Sequence, residues 1–351
     1  MGHWLEFVNR WRLHLSIDIM KAFIKGISYY LPECVLTNQE LLKDFPEWSG
    51  EKVAAKLGIL QRHIASKNEL SSDMAIAAAK KLFLEFNILP SEIDFVLLCT
   101  QSPDYFLPTS ACIIQNKLGI STDAGALDFN LGCSGFIYGL ALAKGLLVAG
   151  IAKNVLLLTS ETYSKFIHPK DKSNRTIFGD AATATLISEN GFAEILNFDL
   201  GTDGKGAENL ILKTGGLRNP SQNGDLIFDD NDNPISSDHL FMNGTEIFNF
   251  TLEMVPKLVE RTLKKNNLSI EEMNLFVFHQ ANKYLLDFLR KKIKIPVEKF
   301  YYYLENVGNT VSSTIPIALK EANKQAVLTG NILLAGFGVG YSWGGTILKI
   351  V

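Results

Sequence analysis

The sequence predicts an α/β fold made by duplicating one unit, and three observations predict it. Apolar strands alternate with helical stretches along the whole chain. The two halves repeat one spacing: 21 residues separate Cys133 from Asn154, and 21 separate Thr310 from Asn331. At 351 residues the chain exceeds a typical single domain. Matching strands lie about 180 residues apart, far beyond any solenoid period.

In the first half, Met20–Ile24 begins a strand and is the expected start of the folded domain. Residues 1–19 contain Trp4, Trp11, Arg10 and Arg12 but lack the continuous apolar stretch of a signal peptide. They read as an upstream-start artefact, a loosely ordered extension or a helix lying on a membrane surface, and are expected outside the fold. Ile93–Thr100 reads as a buried strand, and Ser110–Leu118 as a helix stopped by Gly119. Ala126–Leu131 is the next strand, Ser134–Ala149 a long helix ending at Gly150, and Asn154–Thr159 a third strand.

The second half follows the same plan. Asn274–Phe278 reads as a strand, Lys283–Ile293 as a helix and Phe300–Leu304 as a strand. Ser312–Leu328 reads as a helix stopping at Gly330, and Asn331–Ala335 as a strand. The strands are expected to be mostly parallel. The expected division is 20–191 for the half with the cysteine and 192–351 for the half with the histidine and asparagine.

Apolar residues make up 47%, enough for a large core, and the formal charge of −3 argues against nucleic-acid binding. No apolar run reaches the roughly 18 residues that span a bilayer. The four cysteines show no C-x-x-C spacing, which suits free thiols in a reducing cytoplasm. The six histidines are scattered, so neither a metal nor another cofactor is expected.

Three polar residues fall at strand ends, where ligands bind in α/β sheets. Cys133 lies in Leu131-Gly132-Cys133-Ser134-Gly135-Phe136, His279 in His279-Gln280-Ala281-Asn282, and Asn309 in Gly308-Asn309-Thr310. A thiol at a helix start meets unpaired N–H groups and the positive dipole end. Both lower its pKa from about 8.5. Gly132 and Gly135 allow a tight turn with room beside the sulfur. The other reading of Cys133 is a small residue packed at a corner. Cys99 and Cys112 fit that reading, and Cys34 fits either.

His279 reads as a hydrogen-bonded structural residue or as a neutral imidazole donating one N–H to a thioester oxygen. Asn309 could offer an amide N–H beside it. Two donors aimed at one oxygen would stabilise the enolate formed when a malonyl thioester loses carbon dioxide. Gly336-Phe337-Gly338-Val339-Gly340 exposes backbone N–H groups and has no following Lys-Ser/Thr, which favours an oxyanion hole over a phosphate loop.

In these motifs the chain resembles the β-ketoacyl-acyl-carrier-protein synthase III family, initiating condensing enzymes of bacterial fatty-acid synthesis within the thiolase superfamily. The likeness runs from Met20 to Val351. It adds Gln101-Ser102-Pro103-Asp104, Pro108–Cys112, Phe178–Ala182, Gly201–Gly204 and Met242-Asn243-Gly244. The resemblance implies a homodimer of duplicated, thiolase-like, five-layered α-β-α-β-α subunits. It implies that Cys133 is acylated by acyl-CoA or an acyl-carrier protein, and that His279 and Asn309 decarboxylate malonyl-carrier protein. Backbone N–H groups of Cys133 and Val339 would form the oxyanion hole. Leu107 stands where the family often has Phe, a residue reaching the partner's acyl pocket. Ile177, Gly244 and Phe248 match positions lining the tunnel for the pantetheine arm and acyl chain.

Three departures concern donor recognition. The family clamps adenine between a tryptophan and an arginine; Lys172 stands at the arginine position, and Lys52 at the tryptophan position, with Trp48 four residues early. Tyr284 replaces a basic residue, although Lys283 is adjacent. Lys283, Arg290, Lys291, Lys292 and Lys294 on one helix could dock an acidic carrier protein or simply face solvent. Besides a synthase III, the residues permit a specialised relative of secondary metabolism that uses a carrier-bound or unusual acyl donor. A silent chain-length subunit would lack the thiol, and a cysteine hydrolase would need a base touching it.

Overall fold

The computed structural model describes residues 20–45, 49–230 and 232–351. The expectations for residues 1–19, for Trp48 and for the Lys52 side chain lie outside the described residues. Among the described residues nine strands form one connected sheet. They are β1 (Phe23–Tyr30), β2 (Phe95–Cys99), β3 (Gly125–Phe129), β4 (Asn154–Glu161), β5 (Ala181–Ser188), β6 (Ala193–Thr202), β7 (Met273–Phe278), β8 (Asn331–Gly338) and β9 (Ser342–Ile350). Their order is β7-β8-β9-β6-β1-β5-β4-β2-β3.

That order is one pattern written twice. From the outer edge inward, the first half runs third, second, fourth, fifth, first strand. The second half runs β7, β8, β9, β6, which is second, fourth, fifth, first. The two meet where β1 pairs with β6 at Phe23 and Ile24. The expected strand Phe300–Leu304 supplies the missing third position, but only through a parallel bridge between Phe276 and Phe300. Beyond it the ladder gives way to a side chain: Gln280 donates to the Tyr301 carbonyl and accepts from the Tyr303 N–H.

The sheet is not mostly parallel. β2–β3, β2–β4 and β7–β8 are parallel, whereas β4–β5, β5–β1, β1–β6, β6–β9 and β9–β8 are antiparallel. Parallel neighbours need a crossover helix. Each half returns its last strand without one, so β5 and β9 run back antiparallel.

Among the described residues six long helices cover the strands: α1 (Ser71–Phe86), α2 (Ser110–Leu118), α3 (Gly135–Val148), α4 (Gly244–Lys265), α5 (Lys283–Ile293) and α6 (Thr314–Lys324). The helix expected over Ser312–Leu328 opens instead with a 3-10 turn, Val311–Ser313, because Val311 sits at φ 55. It ends early, before Ala326, whose φ is also 55.

Strands buried on both faces read as unbroken apolar runs, and the core shows why. On β2, Val96 and Leu98 face α1 and α2, while Leu97 faces α3. On β8, Ile332 and Leu334 face α3 and α6, while Leu333 and Ala335 face α4 and α5. The layers are therefore α1/α2, sheet half, α3/α6, sheet half, α4/α5: a duplicated, thiolase-like five-layered fold. α3 is apolar nearly all round because both sheet halves cover it. Its Lys144 donates to the Ile195 and Leu196 carbonyls at 2.7 and 3.0 Å.

β8 reaches the Cys133 turn across this centre. A Cβ on Gly336 would lie 2.9 Å from the Cys133 carbonyl and 2.9 Å from Ser134 Cα, both fixed backbone. Gly336→Ala is expected to destabilise the protein by about 1–3 kcal/mol through overpacking. Gly145→Ala, on α3 with nothing within 4 Å of its Cβ, is the contrast. It should be neutral or stabilising by up to about 1 kcal/mol. Urea unfolding of both variants checks the pair.

Candidate active site

Cys133 sits in the turn between β3 and α3, closed by Gly135 N–H donating to the Gly132 carbonyl at 2.8 Å. Its thiol is buried among Tyr163, Ile167, Phe178, Leu210 and Val311. A Cβ at Gly338 would lie 3.1 Å from its sulfur. The helix start that was expected to lower the thiol pKa is present, but burial outweighs it. Desolvation first, and then the neighbouring Glu161, push the Cys133 thiol up to about 12.

Glu161, at the end of β4, is fully buried and close enough to Cys133 to act on it electrostatically. Its carboxyl accepts from the Gln101 N–H at 3.1 Å, Ser102 at 3.2 Å and Ser312 at 3.3 Å. Burial nevertheless raises its pKa to about 8. At neutral pH the group is mostly protonated, so the site is close to uncharged.

His279 follows β7, its N–H bonded to the Ala335 carbonyl at 2.8 Å. Desolvation lowers the imidazole pKa to about 3, although the Val311 carbonyl opposes this. The ring is neutral at physiological pH, with Nδ1 2.7 Å from Thr314 Oγ1. Asn309 is held by its backbone: its N–H donates to the Ile177 carbonyl at 2.9 Å, and its carbonyl accepts from Gly179 N–H at 3.0 Å. The Val311 N–H donates to Asn309 Oδ1 at 2.9 Å. That bond turns Nδ2 toward His279 Nε2, 3.5 Å away.

One apolar cavity of about 160 Å³ joins Cys133, His279 and Asn309. Ile177, Gly244 and Phe248 also line it. Val339 packs beside Cys133 in the turn after β8. Three predicted residues stand elsewhere. Leu107 is 82% exposed, in the loop before α2. Lys172 lies 3.8 Å from Asp232 and over the Phe45 ring. Lys283 pairs with Asp287 and lies over Tyr302, outside the cavity lining. Tyr284 does line the cavity, stacked on Phe248.

Sequence reading missed Glu161 and Thr314. Thr314 was legible only as one hydroxyl in the run Ser312-Ser313-Thr314 following Gly308-Asn309-Thr310. Glu161 ended an apolar strand, where an acid ordinarily marks the return to solvent.

Comparison with known proteins gives a consistent family. Residues 127–204 match the family model of 3-oxoacyl-[acyl-carrier-protein] synthase III, and residues 263–350 match its C-terminal model. A β-ketoacyl-[acyl-carrier-protein] synthase III of Clostridium perfringens is 36% identical over 328 residues, covering 93% of this chain and 98% of that one. The protein of the same name from Bacillus pumilus is 34% identical, over 94% of this chain and 99% of that one. A crystal structure of a 3-oxoacyl-(acyl-carrier-protein) synthase III superposes with a TM-score of 0.92 at 49% identity, covering 94% and 100% of the two chains.

The Glu161 carboxyl predicts a pH dependence of stability. Its folded pKa, about 8, lies above its ordinary 4.5. Between those values the folded chain keeps a proton that the unfolded chain has released, so stability falls as pH rises. Glu161→Gln should flatten the fall in melting temperature between about pH 6 and 8. A slope equal to that of the unsubstituted protein contradicts the assignment.

Proposed function

The chain belongs to the 3-oxoacyl-[acyl-carrier-protein] synthase III family, and on that premise we propose how its residues divide the reaction. Cys133 is the nucleophile. Its sulfur bonds to the acyl carbon of a thioester donor, the donor's C–S bond breaks, and the thiol proton leaves with the departing thiolate. The N–H groups of Cys133 and Val339 stabilise the tetrahedral oxyanion.

His279 and Asn309 serve the second half-reaction, with malonyl-carrier protein. The bond to the malonyl carboxylate breaks, carbon dioxide leaves, and the electron pair moves onto the thioester as an enolate. Nε2–H of His279 and Nδ2–H of Asn309 stabilise its oxygen. The enolate carbon then attacks the acyl group on Cys133, forming the new C–C bond and releasing the cysteine sulfur. The product is a 3-oxoacyl-carrier protein, the opening step of fatty-acid synthesis. The observation that carries this reading is the fixed rotation of the Asn309 amide beside His279, in one cavity with Cys133.

The acyl donor is acyl-CoA or an acyl-carrier protein. The engagement of Lys172 with Asp232 and Phe45 favours testing both. Lys291, Lys292 and Lys294 are exposed on and after α5 and suit an acidic carrier protein, whereas Arg290 donates to the Ile295 carbonyl. The exposed side chains of Tyr105, Phe106 and Leu107 support a homodimer in which Leu107 enters the partner's acyl pocket. Residues 20–191 and 192–351 act as the two halves that contribute the nucleophile and the donors. Four free cysteines suit a reducing cytoplasm.

Intact-mass measurement after exposure to a panel of acyl-CoA and acyl-carrier donors should show one acyl adduct, absent in Cys133→Ala. His279→Ala and Asn309→Ala should keep the adduct within a few-fold and lose decarboxylation by roughly 10²-fold or more. Equal loss of both half-reactions refutes the division. Sedimentation should show a dimer that the pair Phe106→Asp and Leu107→Asp dissociates. A monomer before substitution refutes the dimer.

A further inference from the structure

We infer that Thr314 is a positioning residue whose hydroxyl donates to Nδ1 of His279 and so places the ring proton on Nε2, where it faces substrate. The inference deepens the proposed function and rests on it. A neutral imidazole donates from only one nitrogen, and the hydrogen bond made by the other decides which. For Nε2 to donate, Nδ1 must accept. Thr314 Oγ1 lies 2.7 Å from Nδ1, a strong hydrogen-bond length. The hydroxyl's other acceptor, the Val311 carbonyl, is farther, at 3.1 Å.

The opposite side of the ring agrees. Asn309 Oδ1 is occupied by the Val311 N–H, so the amide presents Nδ2 to His279. Were Nε2 the acceptor, Nδ2 should close on it to about 3.0 Å. It stands 3.5 Å away. That separation suits two donors side by side, aimed at a third atom. Thr314 is the first residue of α6 and is buried, which fixes its reach. The competing arrangement has Nδ1–H donating to Thr314 or Val311, which leaves Nε2 bare.

Thr314→Val removes the hydroxyl at nearly constant shape, and Thr314→Ser restores it. With acyl-loaded protein, Thr314→Val should lower carbon dioxide release from malonyl-carrier protein by roughly 10²-fold. Acyl transfer to Cys133 should change by less than about 3-fold, and Thr314→Ser should recover most of the loss. A packing role would instead move both half-reactions and the melting temperature together. Nitrogen-15 shifts of the histidine rings give a readout independent of activity. His279 should carry its proton on Nε2 in the unsubstituted protein and on Nδ1 in Thr314→Val. An unchanged tautomer overturns the inference, even if decarboxylation falls. A shifted tautomer with unchanged carbon dioxide release upholds the inference and overturns the role proposed for His279.

Discussion

The structure depends on one close approach, in which β8 crosses the Cys133 turn at a distance only glycine allows. Gly336 and Gly338 place bare backbone against Cys133 and Ser134, and Ser134 Oγ meets Ser342 Oγ at 2.6 Å just beyond. Through that contact the half that owns the sulfur receives the strand turn carrying Val339. A second crossing, the backbone bridge between Phe178 and Asn309, returns a residue of the second half to the same cavity. The cavity is lined by Cys133 from the first half of the chain and by His279 and Asn309 from the second. Duplication matters here because Cys133 follows the third strand of the first half, and Asn309 follows Phe300–Leu304, the segment in the equivalent third position of the second.

The electrostatics follow from that burial. Cys133, Glu161 and His279 are all buried, and each shifts toward its neutral form. Stabilisation of a developing charge is strongest where water is absent and dipoles are already aimed. An uncharged resting site also avoids the cost of burying an ion before substrate arrives.

Much of this was legible in the sequence. The strand–helix alternation and the repeated spacing of 21 residues anticipated the fold, and the three polar residues singled out at expected strand ends line one cavity. α5 occupies the expected residues Lys283–Ile293. What was not legible concerns partners distant in sequence. Phe300–Leu304 has strand-forming residues, but the Gln280 side chain replaces its ladder. The thiol's pKa could not be read from a helix start alone, because burial by Tyr163, Phe178 and Val311 from separate segments outweighs it. Lys283 looked adjacent to the site, yet Asp287, one helical turn on, claims it.

The central claim is that His279 works as a neutral donor in a buried, largely apolar cavity. Its direct test is the pH dependence of one turnover: Cys133 is first acylated, then malonyl-carrier protein is added and carbon dioxide release is timed. With an imidazole pKa near 3, the rate should be flat between about pH 5.5 and 7, where an ordinary histidine titrates. A rate that follows protonation of a group near pH 6.5 in that window would contradict the account.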